Sequence, residues 1–321
     1  MIPHEPPKQP QYGFLFFPPY RVQGYSIAGE ETFVQVPELD VCFDLGRASR
    51  MMLTSGFVAL SHGHMDHSAG LAYYFSQRHF QGMGTGTLLC HAALADPIRR
   101  LMAAWVDVEA QRTPHRIVAM TPGDASEEFE IKNHIYLRCF ATDHTVPSLG
   151  FVVVEKRSKL KEEYAHLLQQ PGGQEKLVEL KNAGAEITYV REVPLVAYTG
   201  DTAPCAAFER PDVLNAKVLI TECTFIDADH RDRAKIGKHL HITDLARLLA
   251  NSKNESIVLT HLSRRTHMGD ARNIILRTLP APLRDRAFIL MDGRTNRARY
   301  DQQAARVQAA AQPAAAPPDE G

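Results

Sequence analysis

Apolar positions along the chain fall in short runs divided by polar turns, and the period of those runs alternates between that of a strand and that of a helix. Arg21–Ile27, Thr32–Val36, Val41–Leu45 and Phe57–Leu60 read as strands. Leu71–His79 and Ala92–Val108 read as helices, the second carrying Ile98, Leu101, Met102 and Trp105 at helical spacing. Strand patterning returns at Ile135–Ala141 and Gly150–Glu155, followed by a charged stretch over 156–184 that reads as helical. Leu195–Tyr198, Lys217–Thr221 and Ser256–Thr260 are further strands, and His241–Ala250 has a helical Leu245/Leu248/Leu249 stripe. Polar clusters follow these apolar runs directly: Ser61-His62 after Leu60, Asp143-His144 after Ala141-Thr142, Asp201 after Tyr198, Glu222 after Thr221 and His261 after Thr260. In layered α/β folds, strand ends are where loops converge to build a site.

The two ends depart from this rhythm. Residues 1–18 are proline-rich, and 303–321 are an Ala/Pro-rich tail whose composition predicts disorder. Between them no linker or repeat interrupts the pattern, so 19–302 reads as one domain. The formal net charge of −1 excludes a wholly basic surface, so a polyanionic partner would have to be held by a local patch. Five scattered cysteines, with no Cys-x-x-Cys pair, argue for a reducing compartment and against a thiolate metal site. No run approaches the roughly 20 apolar residues of a membrane span, and no signal pattern opens the chain, which makes the cytoplasm the expected location.

His62-x-His64-x-Asp66-His67 places three imidazoles and a carboxylate within six residues. Such nitrogen and carboxylate donors suit zinc, or manganese or iron. On a loop leaving a strand, His62 and His64 can converge on one ion while Asp66 and His67 turn toward a second. His144, Asp201 and His261 are each weak signals alone; in this order, after such a cluster, they form a set.

The order His-x-His-x-Asp-His, His, Asp, His resembles the metallo-β-lactamase superfamily. The stretches His144–Phe151, Lys159–Tyr164, Gly184–Thr188, Tyr198–Thr202, Lys217–Phe225, His239–Thr243 and His261–Ser263 narrow the resemblance to ribonuclease Z, the endonuclease that matures tRNA 3′ ends, in its short plant-like form. The resemblance implies an α/β fold, the αββα four-layer sandwich with a short inserted arm. It also implies two Zn²⁺ ions, or Mn²⁺ or another divalent metal. His62, His64 and His144 would hold the first; Asp66, His67 and His261 the second; Asp201 would bridge them. Two such ions roughly 3.5–4 Å apart can activate water for in-line attack on a phosphodiester. Catalytic roles fall to Asp66, Glu222 and His241, with His241, oriented by Glu222, protonating the departing 3′-oxygen. His239 has no matched role and reads as structural.

The partners implied are precursor tRNA and a second copy of the chain, with no membrane. Ser263 and Arg265 would contact substrate, although Thr266 stands where the family has tyrosine. The arm is expected at 156–184, where Lys156, Arg157, Lys159 and Lys161 form a basic group suited to phosphate contacts. Two other functions fit the metal motif alone: a small-molecule hydrolase (phosphodiesterase, thioesterase or lactonase) and a non-catalytic metal-binding protein.

Overall fold

Period-two alternation is visible throughout the computed structural model, which describes residues 12–47 and 49–311. The first half forms β1 (Gly13–Phe17), β2 (Tyr20–Ile27), β3 (Glu31–Val36), β4 (Val41–Phe43), β5 (Phe57–Leu60), β6 (Thr87–His91) and β7 (Arg116–Met120). These lie in sequence order in one sheet, antiparallel from β1 to β4 and parallel from β4 to β7. The second half forms β8 (Glu128–Lys132), β9 (Ile135–Ala141), β10 (Leu149–Leu160), β11 (Thr188–Tyr198), β12 (Val218–Glu222), β13 (Ser256–Thr260) and β14 (Ala287–Ile289). This sheet is antiparallel from β8 to β11 and parallel from β11 to β14.

Alternate side chains of each strand serve two different layers. Val34, Phe43, Ala59 and Leu89 of the first sheet meet Phe151, Val153, Val196, Ile220 and Val258 of the second in a central core. Their neighbours Phe33, Cys42, Val58, Leu60 and Leu88 turn outward, where α2 (Leu71–Phe80) and α3 (Ala92–Glu109) cover them, after the single turn α1 (Met65–Ser68). Phe140, Val152, Ala197, Leu219, Ile257 and Leu259 face the opposite outer layer. The two sheets, each with helices on its outer face, make the four-layer αββα sandwich.

Between β10 and β11 lie α4 (Glu162–Ala165) and α5 (Gly173–Asn182). Over 156–184 the chain is not helical throughout, contrary to what its composition predicts. Lys156–Leu160 is extended, because β10 and β11 stay paired out to Leu160↔Thr188; only the tip is helical. The short helices α6 (Pro211–Leu214) and α7 (Arg231–Gly237) precede α8 (Ile242–Leu248), α9 (Met268–Thr278), α10 (Ala281–Arg284) and α11 (Gly293–Ala311).

Both ends also differ from expectation. Part of the proline-rich segment is strand β1, whose Phe14 packs edge-on against Tyr300 of α11 at 5.6 Å. The part of the tail expected to be disordered that falls within the described residues is helical, as α11 runs through Ala311. Residues 1–11 and 312–321 lie outside the described residues.

Candidate metal centre and active site

The polar residues that end β4, β5, β11, β12 and β13 gather at one edge of the sandwich. After β5 the chain stays extended through His62 and His64, so the two imidazoles point the same way. It then closes the one-turn α1, where the His67 amide donates to the His64 carbonyl at 3.0 Å, bringing Asp66 and His67 around. Leu149, at the start of β10, donates its amide to the Ser61 carbonyl at 2.8 Å and so ties the second sheet to this loop. Gly200 has φ +60, and a Cβ there would lie 2.6 Å from that of Ser61; only glycine lets Asp201 come in beside the histidine loop.

His62 Nε2, His64 Nδ1 and His144 Nε2 converge, with His64 Nδ1 at 3.0 and 3.3 Å from the other two. His67 Nε2, His261 Nε2 and Asp66 Oδ2 form a second group at 3.4 to 3.6 Å. Asp201 Oδ2 lies between them, 3.3 Å from His67 Nε2 and from His261 Nε2 and 3.9 Å from His62 Nε2. The seven residues expected as ligands are therefore brought together, in the two expected sets.

The residues behind the ligands fix which ring nitrogen faces inward. Asp44 is fully buried. Its carboxylate accepts from the Ser61 amide at 2.6 Å, Ser61 Oγ at 2.8 Å, Tyr198 Oη at 2.6 Å and His67 Nδ1 at 2.8 Å. Because the Ser61 hydroxyl donates to Asp44, it accepts from His62 Nδ1 at 3.0 Å. Thr224 Oγ1 likewise donates to Glu222 and accepts from His261 Nδ1 at 2.9 Å. His144 Nδ1 donates to the Lys238 carbonyl at 3.2 Å. Four imidazoles thus spend their N–H outward and aim an Nε2 lone pair into the cluster.

Lone pairs and carboxylates aimed at one another in a buried space repel unless cations lie between them. Ligand bonds of about 2.0–2.1 Å in tetrahedral geometry put donor atoms about 3.3 Å apart, the spacing found within both groups. The donor set fits divalent metal ions. Burial and neighbouring His67 push the His62 imidazole down to about 2, and burial also lowers His144, both toward the neutral form that ligates. Where no metal ion neutralises the cluster, a proton takes that place. Burial opposes charge on His67 and on Asp201, yet Asp201 and Asp44 raise His67 well above the usual range, and His261 and His67 in turn hold the Asp201 carboxyl well below its own.

The expected Glu222–His241 pair is not formed. Glu222 is buried and accepts from the Thr202 amide at 2.7 Å, the Leu240 amide at 3.1 Å, Thr224 Oγ1 and His239 Nδ1 at 3.1 Å. His241 instead caps α8. Its Nδ1 bonds Thr243 at 2.8 Å and its Nε2 the Asp227 carbonyl at 3.0 Å. Asp227 in turn accepts from Thr266, the residue that departs from the family pattern. His239, read as structural from sequence, is the imidazole beside the metal ligands: it stacks on His261 at 5.4 Å and lies 5.2 Å from the His144 ring. Burial opposes its charge, but the Glu222 carboxylate brings it up to about 9. It lies close enough to the ligands to group with His144 and Asp201 or with Glu222 and His261, its Nδ1 3.9 Å from Asp201 Oδ2, but that nitrogen donates to Glu222 and so has no lone pair for a metal.

A recess of about 330 Å³ opens over this cluster, lined in part by Gly29, Asp66, Phe225, His239, Ser263 and Arg265. Ser263 and Arg265 are thus placed at the site. The arm cations are not. Arg157 is eight residues along β10 from Leu149, roughly 26 Å at strand rise. Lys156 pairs with Glu128 and sits 4.4 Å over the Tyr136 ring, Arg157 pairs with Glu155 at 2.6 Å, and Lys161 lies 3.9 Å from Glu186. Of the four, only Lys159 has no ion pair.

Fold and cluster together define a protein of the metallo-β-lactamase superfamily, and residues 53–262 match the family model described as a beta-lactamase superfamily domain. Among curated relatives, a tRNase Z of Arabidopsis thaliana (TRZ1) is 33% identical over 277 residues, covering 85% of this chain and 96% of that protein. A chloroplastic tRNase Z of the same plant (TRZ2) is 32% identical over 264 residues, covering 80% and 72%. The crystal structure of the short form of human tRNase Z shares the fold, with a TM-score of 0.52 at 16% identity over 79% of this chain and 93% of that one. The chain belongs to the ribonuclease Z (tRNase Z) family of that superfamily.

Proposed function

We propose that this protein is a metal-dependent endoribonuclease that removes the 3′ trailer from precursor tRNA, using two zinc ions, with manganese or another divalent ion able to replace them. The observation that carries the reading is the Glu222–His239 pair set against the seven-ligand cluster. A small activated ester needs no acid for its leaving group, whereas an RNA 3′-oxygen does. The family relationship supports the same substrate.

His62, His64 and His144 would hold one ion, Asp66, His67 and His261 the other, and Asp201 would bridge. Bound there, divalent ions supply Lewis-acid activation of water and neutralise charge on the phosphate. The protein groups do the rest. Asp44, Ser61, Thr224 and the Lys238 carbonyl hold the ligand rings in one tautomer. Arg265 offers a guanidinium to a phosphate oxygen and Ser263 a hydroxyl. Glu222 keeps His239 Nδ1 protonated, so that Nε2 can hand its proton to the departing 3′-oxygen as the P–O3′ bond breaks. Asp66 contributes as a ligand and positions the Gly29 amide, which donates to Oδ2 at 2.9 Å. In the arm, Lys159 is the cation free to meet a phosphate, with Lys156, Arg157 and Lys161 supporting it from their ion pairs.

A homodimer is the oligomeric state we favour. It is supported by α3, which exposes Leu101, Trp105 and Val108 at 51, 41 and 73% on one helical stripe. No helix among the described residues is long and apolar enough to cross a membrane. The five unpaired cysteines support a cytoplasmic setting.

End-group analysis of a labelled precursor tRNA tests the proposal. Cleavage just 3′ of the discriminator base should leave a 3′-hydroxyl on the tRNA and a 5′-phosphate on the trailer. A 2′,3′-cyclic phosphate would overturn the mechanism, since it arises from 2′-hydroxyl attack.

A further inference from the structure

Besides imidazoles, one aromatic ring lines the recess over the ligand cluster. Phe225 follows Glu222 by three residues, its ring half-buried, 6.0 Å from the ring of His239 and 5.7 Å from that of His230. Its backbone is pinned on both sides. The Phe225 amide donates to the Leu240 carbonyl at 3.2 Å, and its carbonyl accepts from the Ile242 amide at 2.9 Å. The backbone that carries the ring is therefore tied to the segment that carries the imidazole, and no other element needs the ring as core: it belongs to none of the buried apolar clusters. On the same recess Ala28 and Gly29 present almost no side chain, and a Cβ on Gly29 would meet nothing within 4 Å. A flat apolar ring, a bare wall and an imidazole that serves a 3′-oxygen make a place for a nucleobase.

We infer that Phe225 is a substrate-positioning residue that stacks on the base of the nucleotide whose 3′-oxygen departs. The inference rests on the tRNA-processing reading. The side of the cut follows from the neighbour: His239 must face the leaving oxygen, so the ring next to it lies beside the nucleoside carrying that oxygen, the discriminator nucleotide, and not beside the first trailer nucleotide. Stacking on a π-face tolerates all four bases, which suits a site serving precursors that differ there.

The test is a double-mutant cycle between protein and RNA, measured under single turnover with metal-loaded enzyme. Three precursors are used: intact, abasic at the discriminator position, and abasic at the first trailer position. Phe225→Leu keeps an apolar side chain against His239 and should lower kcat/KM on intact RNA by roughly 10- to 100-fold, the range that base–aromatic stacking spans. On RNA lacking the discriminator base, wild type should already show that loss and Phe225→Leu should add less than about threefold. On RNA lacking the trailer base, Phe225→Leu should keep its full effect. Phe225→Tyr, which retains the ring, should stay within about threefold of wild type on every RNA. An equal loss from Phe225→Leu on all three precursors would overturn the inference, leaving the ring only as packing for His239. Failure of wild type to cut any precursor tRNA would instead overturn the tRNA reading, and this inference with it.

Discussion

The ligand pocket and the inserted arm are both dense in ionisable side chains, and they treat charge in opposite ways. In the pocket, the outward N–H groups of four ligand imidazoles are committed to fixed acceptors, which leaves their lone pairs facing the Asp66 and Asp201 carboxylates, with the His239 imidazole held charged at their edge. On the arm, three of the four cations that stand out in the sequence are already matched by carboxylates of the same sheet or loop. A cluster whose charges are unresolved asks for an external ion; one whose charges are internally resolved does not. Density of charged residues in sequence does not separate these cases, because the partners that decide it come from distant strands. Glu128, which pairs with Lys156, is on β8; Asp44, which orients His67, ends β4.

Substitutions inside the pocket should have the strongest consequences. His239→Ala should lower turnover on precursor tRNA by roughly 10²–10⁴-fold, the range of general acid catalysis, with metal content unchanged. The loss should shrink on an ester with a good leaving group. His241→Ala should cost far less activity and should act mainly on stability, by about 1 kcal/mol as the lost N-cap of α8. Loss of metal in His239→Ala would make it a ligand and not an acid.

One layer further out, Asp44→Ala frees the His67 and Ser61 donors without touching a ligand atom. Metal affinity should fall about 10- to 100-fold, read by competition with a chromogenic chelator. Unchanged affinity would mean that packing alone orients His67.

For the arm the expected effects are smaller. Lys159→Ala should weaken tRNA binding and reduce the slope of log K against log salt by about 1, as for one phosphate contact. Lys156→Ala should leave the slope nearly unchanged, because its charge is spent on Glu128. Equal slopes changes for the two would show that the ion pair opens on binding RNA.

The smallest effect concerns acid stability. Burial works against the Glu128 and Asp212 carboxylates, but Lys156 and Arg138 on one, and Arg210 and Arg138 on the other, hold both below their ordinary values. Depressed carboxyl groups contribute stability above their unfolded values and lose it as pH falls through the folded ones. Urea midpoints should therefore drop below about pH 4, and Arg138→Gln should flatten that drop by at most about 1 kcal/mol for these partly exposed pairs.

Much of this molecule is legible in its sequence, and the exceptions have physical causes. The strands that feed the site are apolar runs ending in a polar residue, so β5 with His62 and β13 with His261 stand out. Edge strands such as β8, with half-exposed Glu128 and Phe129, carry no such signal. Lys156–Leu160 has helical composition, yet the hairpin with β11 supplies backbone partners that override it. Asp44 hides inside the run Val-Cys-Phe-Asp-Leu, where a lone buried carboxylate was the available clue. The His239/His241 ambiguity is one of facing. Two residues apart on an extended segment they share a side, but α8 begins at Ile242 and turns His241 into its cap, a change that local spacing does not encode. The arm's ion pairs depend wholly on long-range register.

We propose that the seven ligands, gathered with their lone pairs inward, hold two divalent ions. Elemental analysis of protein purified without chelators and reloaded with zinc measures this directly. About two equivalents per chain are expected, falling to one or less in Asp201→Ala; a wild-type value that stays near one after reloading would contradict two-ion binding.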